Sequence, residues 1–171
     1  MYVIYALFSF LLIMPVITLF YQIEIGMSMR EIFILQAVFS VSMLLFEIPS
    51  GYFADKAGRR ISILLGAILI VFSTGLYSVS QSFIQLAVAE ILLGIGFGFV
   101  SGADSALLYD SLLALGRTDE YKKIEGRMRA FGNFSEGIAS IIGGLLAVVS
   151  LRLPLYIEFI ALAVSIPIAF C

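Results

Sequence analysis

Long apolar stretches alternate with short polar ones along the whole chain. The apolar stretches cover about residues 3–23, 32–53, 61–79, 83–112, 130–149 and 155–171. A helix needs about 20 apolar residues to cross the hydrocarbon core of a bilayer, so each stretch can form a membrane span. The pattern therefore predicts an all-α membrane protein, built as one six-helix bundle over residues 1–171.

The composition agrees with a membrane protein and excludes several function classes. Hydrophobic residues make up 61% of the chain, charged residues 13%, and the mean hydropathy is +1.10. The net charge of −2 is too small to indicate nucleic acid as a partner. Histidine is absent, so any proton taken up must bind a carboxylate, and imidazole metal sites are excluded. With no zinc-binding His-Glu-x-x-His and no Gly-x-Ser-x-Gly motif, the sequence predicts neither an enzyme nor a metal or cofactor site.

The basic residues are concentrated in two of the five predicted connections. Three lie between the second and third spans and five between the fourth and fifth, whereas the other three connections hold two in total. Basic loops remain on the cytoplasmic side of a membrane. We therefore expect both termini in the cytoplasm. The membrane itself is expected to be a prokaryotic plasma membrane.

The connection between the second and third spans is a short charged turn. It reads Gly51-Tyr52-Phe53-Ala54-Asp55-Lys56-Ala57-Gly58-Arg59-Arg60. This run resembles the signature of the major facilitator superfamily, Gly-x-Leu-Ala-Asp-Arg-x-Gly-Arg-Lys/Arg, with Phe53 in place of leucine and Lys56 in place of arginine. The preceding Glu47-Ile48-Pro49-Ser50 is also similar to that family, and the resemblance covers the whole chain as an amino-terminal half.

The resemblance implies a six-helix bundle of two inverted three-helix repeats, which is half of the family's fold. It further implies a secondary transporter of small solutes that works by alternating access, is coupled to protons and exports small amphipathic compounds. Family members usually have two such halves with the substrate between them. The second half would be a carboxy-terminal continuation, a separate half-chain or a second copy. The alternative is a non-transporting membrane scaffold or partner subunit that retains the half-fold.

The resemblance also implies a role for the charged turn. In the family, the aspartate and the first arginine of the signature join an acid at the inner end of the fourth helix. The matching residues here are Asp55, Arg59 and Asp110. They would form a latch that stabilises the outward-facing state, or else a fixed cluster that orients the helices, since exposed ion pairs contribute little stability. The rest of the matched signature consists of Gly51, Gly58 and Arg60.

Carboxylates inside predicted spans are the candidates for binding protons or substrate, because a charge at the centre of a bilayer costs about 2.5–3.5 kcal/mol. Glu136 lies in a stripe of small or polar residues, with Gly132, Ser140 and Gly144 at four-residue spacing. Such a stripe marks a helix contact face, so Glu136 is expected to point into protein or a cavity. It is the first candidate, and an interhelical hydrogen bond is the alternative.

Three further acids are weaker candidates. Glu90 and Asp104 lie on nearly the same side of the fourth helix, about 21 Å apart along its axis, and would carry protons near the two ends of a cavity. Alternatively, Asp104 joins the cytoplasmic charges and Glu90 lies at the outer interface. Glu47 shares a helix face with Gly51 and Asp55, so a structural role is expected for it.

Glycines mark the faces on which helices are expected to pack closely. The fourth span contains Gly94, Gly98 and Gly102 at four-residue spacing, and the fifth contains Gly143 and Gly144. Antiporters of the family often carry Gly-Pro-x-x-Gly-Gly in the fifth helix, and only the paired glycines are present here. Antiport, symport and uniport all remain open.

Overall fold

The structure is a computed structural model that describes residues 11–170, except for the side chains of residues 102, 165 and 167–170. Residues 1–10 and 171, including the beginning of the first predicted span, lie outside the described part. Helices and turns make up the described residues, without any strand, which confirms the all-α class. The elements are α1 (Ile17–Leu19), a π-helical turn (Phe20–Glu24), α2 (Met29–Ala57), α3 (Arg59–Val79), α4 (Phe83–Ala114), a 3₁₀ turn (Thr118–Glu120), α5 (Tyr121–Val149) and α6 (Leu153–Phe170).

Four of the described helices, α2 to α5, are long and apolar enough to cross a membrane. In α6 a shorter apolar stretch covers Leu153–Val164. These helices do not test whether the chain has exactly six spans, so that number remains a prediction.

The first predicted span differs from a continuous helix over its described part. Residues 11–16 form turns, and helical structure begins only at Ile17. Pro15 lies in this stretch and has no backbone N–H to donate, which disfavours an uninterrupted helix through it. The backbone instead closes local bonds, with the Val16 N–H donating to the Ile13 carbonyl at 2.9 Å.

The charged turn between α2 and α3 is shorter than the sequence suggests. Helix α2 continues through Asp55 to Ala57, and α3 begins at Arg59, so Gly58 alone connects them. Gly58 has a φ of 101°, a conformation that residues with a side chain rarely adopt. The glycine thereby places the first turn of α3 directly beside the last turn of α2.

Helix α4 lies at the centre of the bundle and packs against both α2 and α3. A Cβ at Gly94 would lie 2.6 Å from the Phe39 carbonyl oxygen of α2, and one at Gly96 would lie 2.8 Å from the Ile70 side chain of α3. Serine hydroxyls from both neighbours donate to α4 carbonyls, with Ser73 to Ala89 at 2.7 Å as one example. Close approach and hydroxyl bonds of this kind join helices in membranes.

The two ends of the bundle differ in chemistry. The Gly58 turn and residues 115–120 lie at one end, called here the charged end, where α4 meets α5 around Leu108 and Met128. At the opposite end, Arg152 in the α5–α6 connection donates to the Glu24 carboxylate at 3.2 Å and to the carbonyls of Ser78 and Ser80, both at 3.1 Å. Arg152 therefore connects the π-helical turn, the end of α3 and the start of α6.

Candidate functional site

An ion pair joins two helices at the charged end. The Arg59 Nε lies 3.2 Å from the Asp110 Oδ2, and the two side chains are 27% and 49% exposed. Arg59 is the first residue of α3 and Asp110 lies near the end of α4. Two of the three residues expected in a latch are thus in contact. Asp55 lies in α2 and is exposed, and within the described part of the chain it has no ion pair with Arg59.

A second charged group lies in the groove between α4 and α5. Asp104, Ser105, Glu125 and Arg129 line a small open cleft there. The Arg129 guanidinium donates to Glu125 at 3.1 Å, and the Ser105 hydroxyl lies 3.5 Å from the same carboxylate. Asp104 accepts the Ser105 N–H at 2.6 Å. Asp104 is therefore near the charges of α5, the position expected if it joins that network.

Glu90 lies inside the bundle. It is 2% exposed, and its Oε1 accepts the Tyr21 hydroxyl at 3.1 Å. The Tyr21 and Tyr77 hydroxyl oxygens lie 3.0 Å apart. A chain of buried hydrogen bonds therefore connects the π-helical turn, α3 and α4, and Glu90 is not at the surface of the bundle.

Glu158 is a buried acid that sequence analysis does not select. It lies in α6, is 2% exposed, and accepts the backbone N–H of Ile13 at 3.1 Å through its Oε2. A lone carboxylate in an apolar helix is the signal that selects Glu90 and Glu136, and the same signal was present here. The sequence contains no hint that its partner would be a backbone group 145 residues away.

Glu47 and Glu136 have the opposite surroundings. Both are exposed, on α2 and α5 respectively. These two helices are the least covered of the four long apolar helices. Apart from the half-buried Asp104 and the acid of the ion pair at the charged end, the structure thus separates the acids of the apolar stretches into a buried pair, Glu90 and Glu158, and an exposed pair on the outside of the bundle.

The remaining predicted residues are placed as follows. Gly98 packs against α2, with Met43 and Phe46 as its nearest neighbours. A Cβ on Gly143 would collide with the Leu12 carbonyl. No described atom lies within 4 Å of a Cβ built at Gly144 or Gly51, and the packing of Gly102 is outside what is described. Arg60 is exposed at the charged end.

Comparison with known proteins identifies the family. The sequence model described as "Major Facilitator Superfamily" matches residues 1–171, which is the whole chain. The chain belongs to the major facilitator superfamily. This membership confirms the family expected from the charged turn, and it places the chain among integral membrane transport proteins rather than enzymes.

Two relatives within the major facilitator superfamily carry informative names. The quinolone resistance protein NorA of Staphylococcus aureus is 28% identical over 145 residues, which cover 85% of this chain and 36% of NorA. Multidrug resistance protein 1 of Bacillus subtilis is 26% identical over 139 residues, which cover 78% of this chain and 33% of that protein. The chain therefore matches about a third of the length of these relatives.

Proposed function

We propose that this major facilitator chain is one half of a secondary transporter that moves small solutes by alternating access and is driven by protons. The observation that carries the proposal is the exposure of Glu47 and Glu136 on long apolar helices. Carboxylates within membrane spans face a bundle interior or a water-filled cavity rather than lipid. Their faces would therefore line a solute pathway.

The pathway needs a second body to enclose it. The chain matches about a third of the length of its relatives, and α2 and α5 are the least covered long helices. The second body would be a six-helix bundle, present as a continuation of the chain, a separate half-chain or a second copy. Substrate would then bind near the midplane between the two bundles.

The relatives' names support efflux as the direction of transport. NorA is named for quinolone resistance and its Bacillus subtilis counterpart for multidrug resistance. Small amphipathic compounds are the substrate class that we propose for this chain. Glu136 would bind the proton or the charged group of the substrate, and Glu47 would line the same cavity.

The charged end is proposed to lie in the cytoplasm with both termini. Eight of the ten basic residues lie in the two connections at that end or in the helix ends that adjoin them, as expected for a cytoplasmic surface. The contact between Arg59 and Asp110 would then be part of a cytoplasmic latch. Asp55 would join it when the second bundle is in place and the outward-facing state forms.

Substitution of Glu136 tests the proton coupling. In proteoliposomes of the assembled transporter, Glu136→Gln should abolish the flux of a fluorescent amphipathic compound driven by a pH gradient, because the amide cannot exchange a proton. Membrane insertion should remain unchanged. The matched control is Asp119→Asn, which also neutralises an exposed acid but lies outside the long apolar stretches. It should transport normally.

Two results would contradict the proposal. Undiminished flux in Glu136→Gln at every pH gradient would remove Glu136 from the coupling mechanism. Correct insertion of the wild type without any flux, even with the second bundle present, would favour the scaffold function.

A further inference from the structure

Glu158 reaches across the bundle to a backbone group. It belongs to α6, it is almost fully buried, and its Oε2 accepts the Ile13 N–H at 3.1 Å. Ile13 lies in the turn segment over residues 11–16, directly before α1. The carboxylate thus accepts a hydrogen bond from a segment that is not helical and therefore does not satisfy all of its own N–H groups.

The turn segment is held from a second side as well. The Leu12 carbonyl lies against Gly143 of α5 so closely that a Cβ there would collide with it. The segment is therefore enclosed by a glycine face on α5 and a carboxylate on α6. Of these two contacts, only the one with Glu158 involves a group that can gain or lose a proton.

No cation compensates Glu158 within the described part of the chain. The titratable groups of the elements packed on α6 bind another side chain, are exposed or lie at the charged end. In α3, Tyr77 bonds to the Tyr21 hydroxyl, and the arginines lie at the charged end. In α5, Glu136 is exposed and the basic residues also lie at the charged end, while residues 11–16 contain no titratable side chain. A buried charge without a counter-ion is costly unless hydrogen bonds compensate it.

We infer that Glu158 is a proton-binding residue and that its protonation releases the turn segment of residues 11–16 from α6. Hydrogen bonds to an ionised acceptor are roughly twice as strong as neutral ones. The Ile13 N–H therefore favours the carboxylate, and loss of that bond favours the protonated acid. Acidification consequently loosens the segment, and alkaline pH holds it in place. A role in solute transport rests on the proposed function, whereas proton binding does not.

Hydrogen exchange of the chain in lipid nanodiscs tests this inference. Backbone amides of residues 11–14 and 16 should exchange about tenfold faster at acidic than at alkaline pH after correction for intrinsic exchange, as expected when a charge-assisted bond becomes neutral. Glu158→Gln retains an acceptor oxygen but cannot ionise, so its segment should exchange fast at both pH values. A merely structural acceptor would leave Glu158→Gln slow at both. The matched control is Glu90→Gln, since Glu90 is also a buried acid and binds a side chain of the π-helical turn. This variant should retain the pH response.

Infrared spectroscopy supplies a readout that does not depend on exchange. The wild type should show a protonated carboxyl band on acidification that is missing in Glu158→Gln and present in Glu90→Gln. If Glu158→Gln does not insert, Glu158→Asp replaces it and should shift the midpoint of that band. The inference is overturned if the pH response persists in Glu158→Gln or is missing in the wild type. It is also overturned if the midpoint of the band is unshifted in Glu158→Asp.

Transport assays separate this inference from the proposed function. If Glu158→Gln loses the response of the segment but still couples flux to the pH gradient, proton binding at Glu158 stands and the coupling lies elsewhere. If the response persists in Glu158→Gln while Glu136→Gln abolishes flux, the inference about Glu158 is wrong and the proposed function stands.

Discussion

Every buried side-chain nitrogen and oxygen in the described part of the chain has a hydrogen-bond partner. Several partners are backbone groups of other helices, such as the Gly98 carbonyl for Ser50 and the Phe99 carbonyl for Ser62. Water is absent from the bilayer core, so a polar atom left without a partner there would cost several kcal/mol. The serines therefore connect helices, although in a hydropathy profile they appear only as polar residues within apolar stretches.

The intramembrane acids show what residue type alone leaves open. Glu136 was the first candidate because its small neighbours indicated a packed face, and in the chain itself it is exposed. Glu158 has no such stripe and is buried. A helix in a membrane is apolar toward lipid and toward protein, so the pattern around an acid does not reveal which side it faces.

The charged end makes a prediction at the scale of single residues. Asp55→Asn and Asp110→Asn should each slow the transport cycle several-fold, because the charge network that stabilises one state is weakened. Stability should fall by no more than about 1 kcal/mol, since the pair of Arg59 and Asp110 is partly exposed. Transport rates, equilibrium substrate binding and thermal unfolding, measured on the same preparations, check the prediction. If either variant weakened equilibrium binding and left the rate unchanged, the latch would be the wrong interpretation.

At the scale of elements, glycine determines how closely α2 and α4 pack. Gly94 faces the Phe39 carbonyl oxygen and the Ser42 side chain, which lie 2.6 Å and 2.8 Å from the position that a Cβ would occupy. Gly98 makes an ordinary contact with the same helix one turn later. Gly94 and Gly98 both meet α2 because residues four apart lie on one side of a helix.

Substitution of Gly94 tests this contact. Gly94→Ala should destabilise the bundle by about 1–3 kcal/mol, since the added methyl group must displace backbone rather than a flexible side chain. Gly126→Ala in α5 is the matched control, because no described atom of another element lies within 4 Å of the position of the added Cβ, and it should be neutral or slightly stabilising. Thermal unfolding in detergent measures both. Equal melting temperatures for the two variants would show that the approach of α2 and α4 is not limited by Gly94.

The ends of elements were predicted less well than their centres. The sequence indicated a charged turn from Asp55 to Arg60, and the structure reduces it to Gly58. Charged residues are compatible with helix at a membrane surface, so their presence does not mark where a helix ends. The first predicted span ran without interruption through Pro15, whereas the stretch around this residue forms turns, since proline lacks the N–H that a continuous helix would use there.

At the scale of the whole molecule, the polar residues inside the bundle and those on its outer face have different uses. The chain of Tyr21, Tyr77 and Glu90 and the contact of Glu158 hold the bundle together internally. Glu47 and Glu136 are directed away from it. A membrane protein with charges on its outer face requires either water or another protein body beside that face.

Cysteine labelling tests which of the α5 faces meets water. In the proposed transporter, with Cys171 replaced by serine, Glu136→Cys should react with a membrane-impermeant thiol reagent and be protected by substrate. Ile141→Cys is the matched control, since Ile141 is 69% exposed and lies about 140° around the helix. It should face lipid and react at least tenfold more slowly. Equal reactivity at both positions would argue against a water-filled pathway on the Glu136 face.

The sequence by itself determined the class and the family of this protein. Apolar stretches of span length require helices in a bilayer, because only hydrogen bonds within the segment can satisfy the backbone there. The charged turn carried the family resemblance, and in the structure its Arg59 lies beside Asp110.

Only the tertiary structure decided which acids are enclosed and what they bind. Glu158 contacts a backbone N–H of the non-helical residues 11–16, and Glu90 contacts a tyrosine from the π-helical turn that follows α1. Both contacts join residues far apart in sequence, and both depend on how the helices are rotated about their axes. That rotation is set by packing between glycines and side chains, and a uniformly apolar span carries little trace of it.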